Sequence, residues 1–191
     1  MGRPKQLLQY HGETLVRRVA ISALAAGCDP VLAVVGREQE AIAAALKDLA
    51  VTLVPNHNWE RGMGTSLRAG VTALPPVGAA FVLTCDQPQV TADLLLKMIE
   101  RHRESGQQIV ACEYAGTIGV PVLFPARYFA ELGSLGDDAG AKSLLRSRPN
   151  DVATLSFAGG AVDLDSPEDY ERAHSGTTPN DGHQRNPGTT G

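Results

Sequence analysis

Residues 79–88 read AAFVLTCDQP, an almost continuous apolar run that ends in an acidic turn. A short run of this kind is typical of a strand buried between two layers of helices. Residues 31–36 read VLAVVG and show the same pattern, ending at a glycine. Together the two runs predict an α/β fold built on buried strands.

The segments around these runs alternate between helical spacing of apolar residues and short apolar stretches. Such alternation predicts a Rossmann-like, mostly parallel sheet with helices on both faces. Ligands bind such sheets beyond the carboxyl ends of the strands, so we expect the site in the loops after residues 35, 54, 84 and 124. Helix patterns cover residues 13–26, 38–49, 66–74, 91–105, 127–132 and 139–146, and strand patterns cover residues 31–35, 51–54, 79–84, 109–112, 120–124, 152–155 and 161–164, before a last helix at Pro167.

Composition narrows the class of protein. With 43% hydrophobic and 20% charged residues, the chain has the balance of a globular protein with a core. Its net charge of −4 argues against a nucleic-acid surface, which is normally basic. The sequence has neither a secretory signal nor an apolar run near the roughly 20 residues of a membrane span. Its three cysteines lack CxxC spacing, which favours reduced thiols in the cytoplasm.

The length of 191 residues fits one domain, which we assign to residues 1–173. Residues 174–191 contain no aliphatic or aromatic residue and are rich in glycine, threonine, proline and asparagine. Such a segment cannot bury enough apolar surface to offset its ordering entropy. The sequence therefore predicts a disordered tail over residues 174–191.

Asp86 follows the apolar run in an Asp-x-Pro turn that ends at Pro88. A carboxylate at the end of a buried strand is well placed to hold Mg²⁺, a hard cation that prefers oxygen ligands. The alternative is that Asp86 only forms the turn, or caps the helix that Thr91 begins. Both interpretations remain open from these residues alone.

Residues 56–68 form a polar loop with two glycines that leads into a helix. Gly62 and Gly64 would let the backbone approach a ligand, and free amides at a helix start suit an anion or the edge of a base. The alternative is an ordinary loop. Trp59, the only tryptophan, suits packing in a core or lid at least as well as contact with a ligand.

Charged residues elsewhere allow similar pairs of interpretations. Arg3 and Lys5 flank Pro4 and can together hold a triphosphate, although isolated surface cations would carry no meaning. Asp137 and Asp138 form a pair of carboxylates just before a helix, and Asp163 lies in a second acidic segment. These acids either complete a metal site or complement helix dipoles.

Taken in order, the motifs resemble one family. Residues 3–8, RPKQLL, resemble the second half of the signature LAAGxSxRMGxPKxLL that opens the MobA-like nucleotidyltransferases. The later elements follow in register, and the whole resembles most closely the molybdenum cofactor cytidylyltransferase branch. Those elements are VVG at 34–36, Asn56 to Gly70, Asp86 to Pro88, Gly119 to Pro121, Asp138 to Lys142 and Asp163 to Asp169.

The resemblance implies a Rossmann-like enzyme of the nucleotide-diphospho-sugar transferase type. It would use Mg²⁺ to transfer a nucleotide from CTP to the phosphate of molybdopterin carrying molybdenum, with release of pyrophosphate. It assigns Mg²⁺ binding to Asp86 and triphosphate binding to Lys5, with Arg3 beside it. A second metal ligand would be Asp138 or, as second choice, Asp163. Asn56 and Ser66 would lie by the base, and Gly36, Gly62, Gly119 and Pro121 would complete the nucleotide and cofactor site.

Two departures from the family pattern shape the expectations. The first half of the signature, with the initial strand, a glycine-rich loop and an arginine, is missing, and Met1–Gly2 aligns with Met-Gly inside the motif. We therefore expect that the chain starts within the motif and has weak or no turnover as given. Val120 stands where a polar residue such as histidine is frequent, which opens the choice of acceptor.

Several alternatives follow from these departures. The chain could use GTP or a sugar phosphate, or it could be a non-catalytic module that hands cofactor to a molybdenum hydroxylase. A decaying reading frame that folds poorly is the third alternative. Residues of the catalytic set, Asp86 and Lys5, favour an enzyme.

Overall fold

A computed structural model describes residues 4–161. Arg3, Asp163, the last predicted strand beyond residue 161, the final helix and the predicted tail lie outside the described residues. The strands are β1 (Gln9–Tyr10), β2 (Glu13–Thr14), β3 (Val31–Val35), β4 (Val51–Pro55), β5 (Ala79–Val82), β6 (Ile109–Tyr114), β7 (Thr117–Pro125) and β8 (Val152–Ser156). The helices are α1 (Leu15–Ala25), α2 (Gln39–Leu46), α3 (Met63–Ala73), α4 (Ala92–Glu104), α5 (Phe129–Gly133) and α6 (Ala141–Ser147).

The α/β fold class is confirmed, and the sheets are partly parallel. Strands β3 and β4 form one parallel pair. A four-stranded sheet has the order β5-β7-β6-β8, in which β6 and β8 are parallel. Strand β7 is antiparallel to both β5 and β6, so the expectation of a mostly parallel sheet is corrected there.

A two-residue turn causes the antiparallel pairing. Tyr114 pairs with Thr117, and only Ala115 and Gly116 connect β6 to β7. Both turn residues have positive φ, at 47° and 71°, which is typical of tight hairpin turns. Because β7 runs the opposite way, its end at Pro125 pairs with Ala79 at the start of β5. The prediction that the loop after residue 124 joins the site is therefore wrong.

The core lies in two layers, one on each face of the four-stranded sheet. Alternate residues of β6 point to opposite faces, as the pleat of a strand requires. Val110 packs with Ala23 of α1 and Met98 of α4. Ile109 packs on the other face with Leu132 of α5 and neighbours from α6. Helices α1 and α4 therefore cover one face, and α5 and α6 cover the other, with Val71 of α3 packed beside them.

Threonine caps fix where the long helices begin. The Thr91 hydroxyl accepts a hydrogen bond from Leu94 N at 3.3 Å, so the predicted cap of α4 is confirmed. Thr14 does the same for α1 by accepting from Arg17 N at 3.4 Å. Such caps satisfy amides that have no partner inside the helix. None of the helices described within residues 4–161 has the length and the apolar character that a membrane span requires.

The β3-β4 pair and the four-stranded sheet are separated by a gap and do not form one continuous sheet in the described residues. In the described part of the chain, β3 is hydrogen-bonded only to β4, and β5 only to β7. Helices span the gap instead, since α1 contacts both β3 and α4, and α3 contacts both β3 and α5. The gap leaves a cleft of about 1650 Å³ between β3 and β5.

Candidate functional site

Four of the predicted site residues line this cleft: Gly36, Ser66, Asp86 and Asp138. They come from four separate segments, namely the end of β3, the first turns of α3, the turn after β5 and the loop before α6. A set of polar groups that converges on one cleft from distant parts of the chain is the usual form of a ligand site. The structure thus puts Asp86 and Asp138, which are far apart in sequence, on the lining of one cleft.

The charges of Lys5 and Asp86 both act on the thiol of Cys85. The pKa of this half-buried thiol is raised to about 11 by burial first and by the negative charge of Asp86 second. The positive charge of Lys5 acts on the same thiol in the opposite direction. Charges act on a pKa in this way only from nearby. Lys5 is half-buried in a short turn of helix, and both charges lie within reach of the Cys85 thiol.

The amide of Asn56 is occupied within its own loop. Its Nδ2 donates to Thr65 Oγ1 at 2.9 Å and to Ser66 Oγ at 3.0 Å. Its Oδ1 accepts from Asn58 N at 2.9 Å. Asn56 is buried and does not line the cleft, whereas Ser66 does. The observed effect of Asn56 is to fix the Ser66 hydroxyl, and its predicted place by the base stays a prediction.

Two glycines of this loop approach another loop of the protein. A Cβ on Gly62, whose φ is 125°, would lie 2.5 Å from Asp137 O. A Cβ on Gly64 would overlap Gly136 O, and Gly64 N donates to Asp137 O at 2.7 Å. The sequence suggested that these glycines make room for a ligand. They make room instead for the backbone of residues 136–137.

Asp137 clamps the two loops together, a role that the sequence did not indicate when it offered the pair Asp137 and Asp138 as metal ligands or as a complement to a helix dipole. Its carboxylate accepts from Arg68 at 3.1 Å and pairs with Arg61 at 2.6 Å. The hydrogen bond from Arg68 is the main cause that lowers the pKa of Asp137. Arg68 also donates to Leu135 O at 2.9 Å. The two adjacent acids therefore have different roles. Asp137 is held by arginines, whereas Asp138 is exposed and lines the cleft.

Trp59 packs at the mouth of the cleft against Gly36. A Cβ on Gly36 would lie 2.6 Å from the indole Cγ, so only glycine allows this approach. The Arg37 guanidinium lies 4.7 Å from the centre of the indole ring, which is a favourable cation–π distance. The packing alternative given for Trp59 matches this position.

In the Gly119 to Pro121 element only Val120 lines the cleft, beside Lys142, which contacts the position of Gly119. Gly119 is buried, and a Cβ there would lie 2.7 Å from the Tyr114 hydroxyl and 2.9 Å from Lys142 Cε. Pro121 is fully buried within β7 and does not line the cleft. Val120 and Lys142 do line it. The predicted contacts of Gly119 and Pro121 with cofactor stay predictions.

Two further polar residues, Thr84 and Gln87, line the cleft, although the sequence did not point to them. Gln87 is 3% exposed, and its Nε2 donates to the Tyr114 hydroxyl at 3.2 Å and to Gly160 O at 3.3 Å. Its Oε1 and the Thr84 Oγ1 have no hydrogen-bond partner among the described residues. A buried acceptor without a partner costs free energy, so both oxygens are suited to accept from a bound group. Their closeness to Asp86 in the sequence was the only feature that could have marked these two residues as part of the site.

The donors at the cleft fit a hard divalent cation. Mg²⁺ keeps several waters and is commonly held by one or two carboxylates together with substrate phosphates. Asp86 and Asp138 supply such a pair of carboxylates at one cleft. Residues 4–161 contain no group of three or more metal-ligating side chains, so an all-protein cage is not formed there. Asp163, the second choice for the metal, lies outside those residues.

Comparisons with known proteins place the chain among nucleotidyltransferases. A family model described as the MobA-like NTP transferase domain matches residues 1–152. The chain is 31% identical over 183 residues to nicotine blue oxidoreductase of Paenarthrobacter nicotinovorans, which covers 90% of this chain and 89% of that protein. It is 28% identical over 190 residues to the purine catabolism protein PucB of Bacillus subtilis, covering 90% and 88%.

Solved structures agree with this placement. Rv0371c of Mycobacterium tuberculosis H37Rv, in complex with manganese, is 32% identical, covers 90% of this chain and 92% of that chain, and superposes with a TM-score of 0.74. A nucleotidyl transferase from Methanothermobacter thermautotroptrophicus, Mth528, is 22% identical with a TM-score of 0.76, over 90% of this chain and 84% of that chain. The second likeness concerns the fold alone. The first indicates that a divalent metal is used by a relative of this chain.

Proposed function

The chain belongs to the MobA-like NTP transferases, and we propose that it transfers a cytidylyl group from CTP to the phosphate of a molybdopterin-type molybdenum cofactor. The phosphate oxygen of the acceptor forms a bond to the α-phosphorus of CTP, and the bond to the β-phosphate oxygen breaks to release pyrophosphate. The choice of CTP and molybdopterin follows from the resemblance of the motifs to the cytidylyltransferase branch. We assign the activity to residues 1–173 and a tail to residues 174–191.

The observation that carries this proposal is the convergence of Asp86, Asp138, Ser66 and Gly36 on one cleft. In our proposal Asp86 and Asp138 hold Mg²⁺, which would stabilise the charge that develops on pyrophosphate. Lys5 binds the triphosphate together with Arg3. The Ser66 hydroxyl, fixed by Asn56, lies by the base.

The proposed reaction requires the protein mainly to supply positive charge and to position the two substrates. The acceptor phosphate is already an anion, so no general base has to remove a proton. The main barrier is the approach of two anions, which cations in the site relieve. This agrees with a cleft whose lining includes Asp86, Asp138 and Lys142.

The product of this reaction would pass to an enzyme that uses the modified cofactor, and we propose a molybdenum hydroxylase as that partner. Cys28, Cys85 and Cys112 are all free thiols, which supports our proposal of a cytoplasmic location. The partners that we propose include neither nucleic acid nor a membrane.

Nucleotide binding by the full chain tests the proposal without requiring turnover. Isothermal titration would compare CTP and GTP, each with Mg²⁺ and with EDTA. We expect CTP to bind more tightly than GTP, and Asp86→Asn or EDTA to weaken CTP binding by about tenfold or more. Asp93→Asn is the matched control, because Asp93 is exposed on α4 and does not line the cleft.

Pyrophosphate release with the molybdenum cofactor as acceptor tests the transfer step. Release with GTP in preference to CTP, or only with a sugar phosphate, would contradict the specific proposal and leave the family assignment intact. Cofactor delivery to a molybdenum hydroxylase that is unaffected by Asp86→Asn would instead support a non-catalytic binding module.

A further inference from the structure

The loop before α6, together with the first turn of that helix, connects the start of α3 to the hairpin of β6 and β7. At the α3 end, Gly64 N donates to Asp137 O at 2.7 Å. At the hairpin end, a Cβ on Gly119 would lie 2.9 Å from Lys142 Cε, so the lysine side chain reaches β7. Asp138 lies between these two contacts in the chain. The segment that carries one proposed metal ligand therefore also places a lysine against the hairpin.

The end of the Lys142 side chain and the Tyr114 hydroxyl both lie beside Gly119. A Cβ on Gly119 would lie 2.7 Å from the hydroxyl oxygen and 2.9 Å from Lys142 Cε, which is closer than side chains pack. Gly119 is not one of the glycines with positive φ, so glycine serves there to leave space and not to shape the backbone. The Tyr114 hydroxyl also accepts from Gln87 Nε2 at 3.2 Å, and Gln87 follows Asp86 in the chain. A row of neighbouring polar groups thus leads from Lys142 to the turn that contains Asp86.

The sheet topology puts this row of polar groups on one particular side of Asp86. Strands β5 and β6 are both antiparallel to β7, so they end at the same edge of the sheet. Tyr114 ends β6 at that edge, where Asp86 follows the end of β5. Gly36 and Ser66 belong instead with the β3-β4 pair, which lies across the cleft from β5. Lys142 and the residues that we place by the base therefore lie on opposite sides of Asp86.

The stability of α6 does not explain the position of Lys142. Lys142 is the second residue of α6, and the helix has no acidic residue in its first turn. A cation at this end of a helix is unfavourable, because the peptide dipoles give the N-terminus a partial positive charge. Lys142 is exposed at the cleft, and it takes part in none of the ion pairs within residues 4–161. A lysine in this position is suited to bind an anion that enters the cleft.

We propose that the Lys142 ammonium group binds the phosphate of the acceptor, on the side of Asp86 that faces the β6–β7 hairpin. This inference rests on the proposed transfer of a nucleotide to a phosphate monoester. Lys142 would hold the phosphate whose oxygen bonds to the α-phosphorus, and its charge would offset the repulsion between the two anions. An ammonium group is a point charge with three rotatable donors, so it recognises the phosphate and not the group that carries it. The triphosphate is left to Lys5.

The small number of lysines allows a direct test on the full chain, since the sequence has only Lys5, Lys47, Lys97 and Lys142. Reductive methylation with ¹³C-formaldehyde keeps the positive charge of each lysine and gives each a methyl signal in NMR spectra. The probe is phenyl phosphate, a simple phosphate monoester, added without nucleotide. We expect the Lys142 signal, assigned by its loss in Lys142→Arg, to shift until it saturates. Lys47 and Lys97 are the internal controls, because both are exposed and neither lines the cleft.

Gly119→Ala tests the position of Lys142 while it keeps the lysine as the reporter. The added Cβ would push aside the Lys142 and Tyr114 side-chain ends, which can move without the backbone. We expect the Kd of phenyl phosphate, read from the Lys142 signal, to rise about fivefold or more. Gly133→Ala is the matched control, since a Cβ there meets no atom within 4 Å. Circular dichroism would establish that both variants fold, and an unchanged Kd in folded Gly119→Ala would contradict the assignment.

CTP with Mg²⁺, added to the same methylated sample, separates this inference from the proposed function. We expect CTP to shift the Lys5 signal, and phenyl phosphate still to shift Lys142 when CTP is saturating. Loss of that second shift would assign Lys142 to the triphosphate and overturn the proposal.

Three further outcomes would also overturn the proposal. They are the absence of a shift at Lys142, an equal shift at Lys47 and Lys97, and an equal shift of Lys142 with phenol, which has the ring but no phosphate. A chain that shows the Lys142 shift but does not bind CTP would contradict the choice of nucleotide and support the assignment of Lys142.

Discussion

Strands β6 and β5 are similar in composition but lie in different environments. β6 is hydrogen-bonded on both edges, to β7 and β8, and its residues 109–112 are fully buried. β5 is bonded only to β7, and its four residues are all partly exposed. Apolar composition thus indicates that a segment is a strand, whereas the number of its strand partners determines how deeply it is buried.

The same contrast divides the molecule into two parts. Strands β5 to β8 are joined to one another by backbone hydrogen bonds, while β3 and β4 form a separate pair. Helices α1 and α3 connect the two parts through side-chain packing. The part with complete pairing should therefore carry most of the stability, and the joint between the parts should be sensitive to small changes.

The largest expected effect compares two phenylalanines on neighbouring strands. Phe124 of β7 is fully buried, and Phe81 of β5 is half-buried at the cleft. We expect Phe124→Ala to lower the free energy of unfolding by about 3–5 kcal/mol through lost burial and a cavity. Phe81→Ala should cost about 1–2 kcal/mol, since less apolar area leaves contact with protein. Urea denaturation measures both, and equal losses would show that the cleft is closed in solution.

A smaller effect is expected at the joint between α3 and the loop before α6. Alanine normally favours a helix over glycine, but a Cβ on Gly64 would overlap Gly136 O. We expect Gly64→Ala to lower the free energy of unfolding by about 1–3 kcal/mol, because backbone would have to move. Gly78→Ala is the control, since a Cβ there meets no atom within 4 Å. A stabilised Gly64→Ala variant would mean that the two loops are not in contact.

The smallest effect concerns two thiols. Burial alone raises the pKa of Cys112 to about 12, whereas the pKa of Cys85, about 11, also responds to Asp86 and Lys5. Asp86→Asn should lower the pKa of Cys85 and speed its alkylation severalfold at about pH 8, and Lys5→Ala should slow it. Peptide mapping after iodoacetamide treatment follows each cysteine separately. If neither substitution changes the alkylation rate of Cys85, the two charges do not act on its thiol.

The sign of the related pH effect follows from the direction of the shift. Because the pKa of Cys85 is higher in the folded protein, the folded state is favoured while the thiol keeps its proton. This contribution is complete below the usual thiol pKa and is lost as the pH rises through about 11.

Local patterns in the sequence located most elements but not their mutual arrangement. The predicted strand at residues 31–35 coincides with β3, and the predicted helix at 91–105 contains α4. The hairpin of β1 and β2 was not predicted, since its strands are two residues each and too short for any periodicity. The direction of β7 depends on two turn residues, Ala115 and Gly116, which apolar periodicity does not register.

The candidate site shows the same limit. Motif order selected Asp86, Asp138, Ser66 and Gly36, and these do line one cleft. It did not reveal that Asn56 is used inside its loop or that Asp137 is held by two arginines. Thr65 and the two arginines are distant in sequence from the residues they hold, so only the folded chain shows which polar groups remain available.

The packing of Trp59 against Gly36 gives the protein a built-in optical probe. The chain has a single tryptophan, and it lies at the mouth of the cleft beneath the Arg37 guanidinium. The intrinsic fluorescence of the unlabelled protein therefore originates beside the site rather than in the core. Any ligand that displaces Arg37 or orders the indole would change the emission maximum or its quenching.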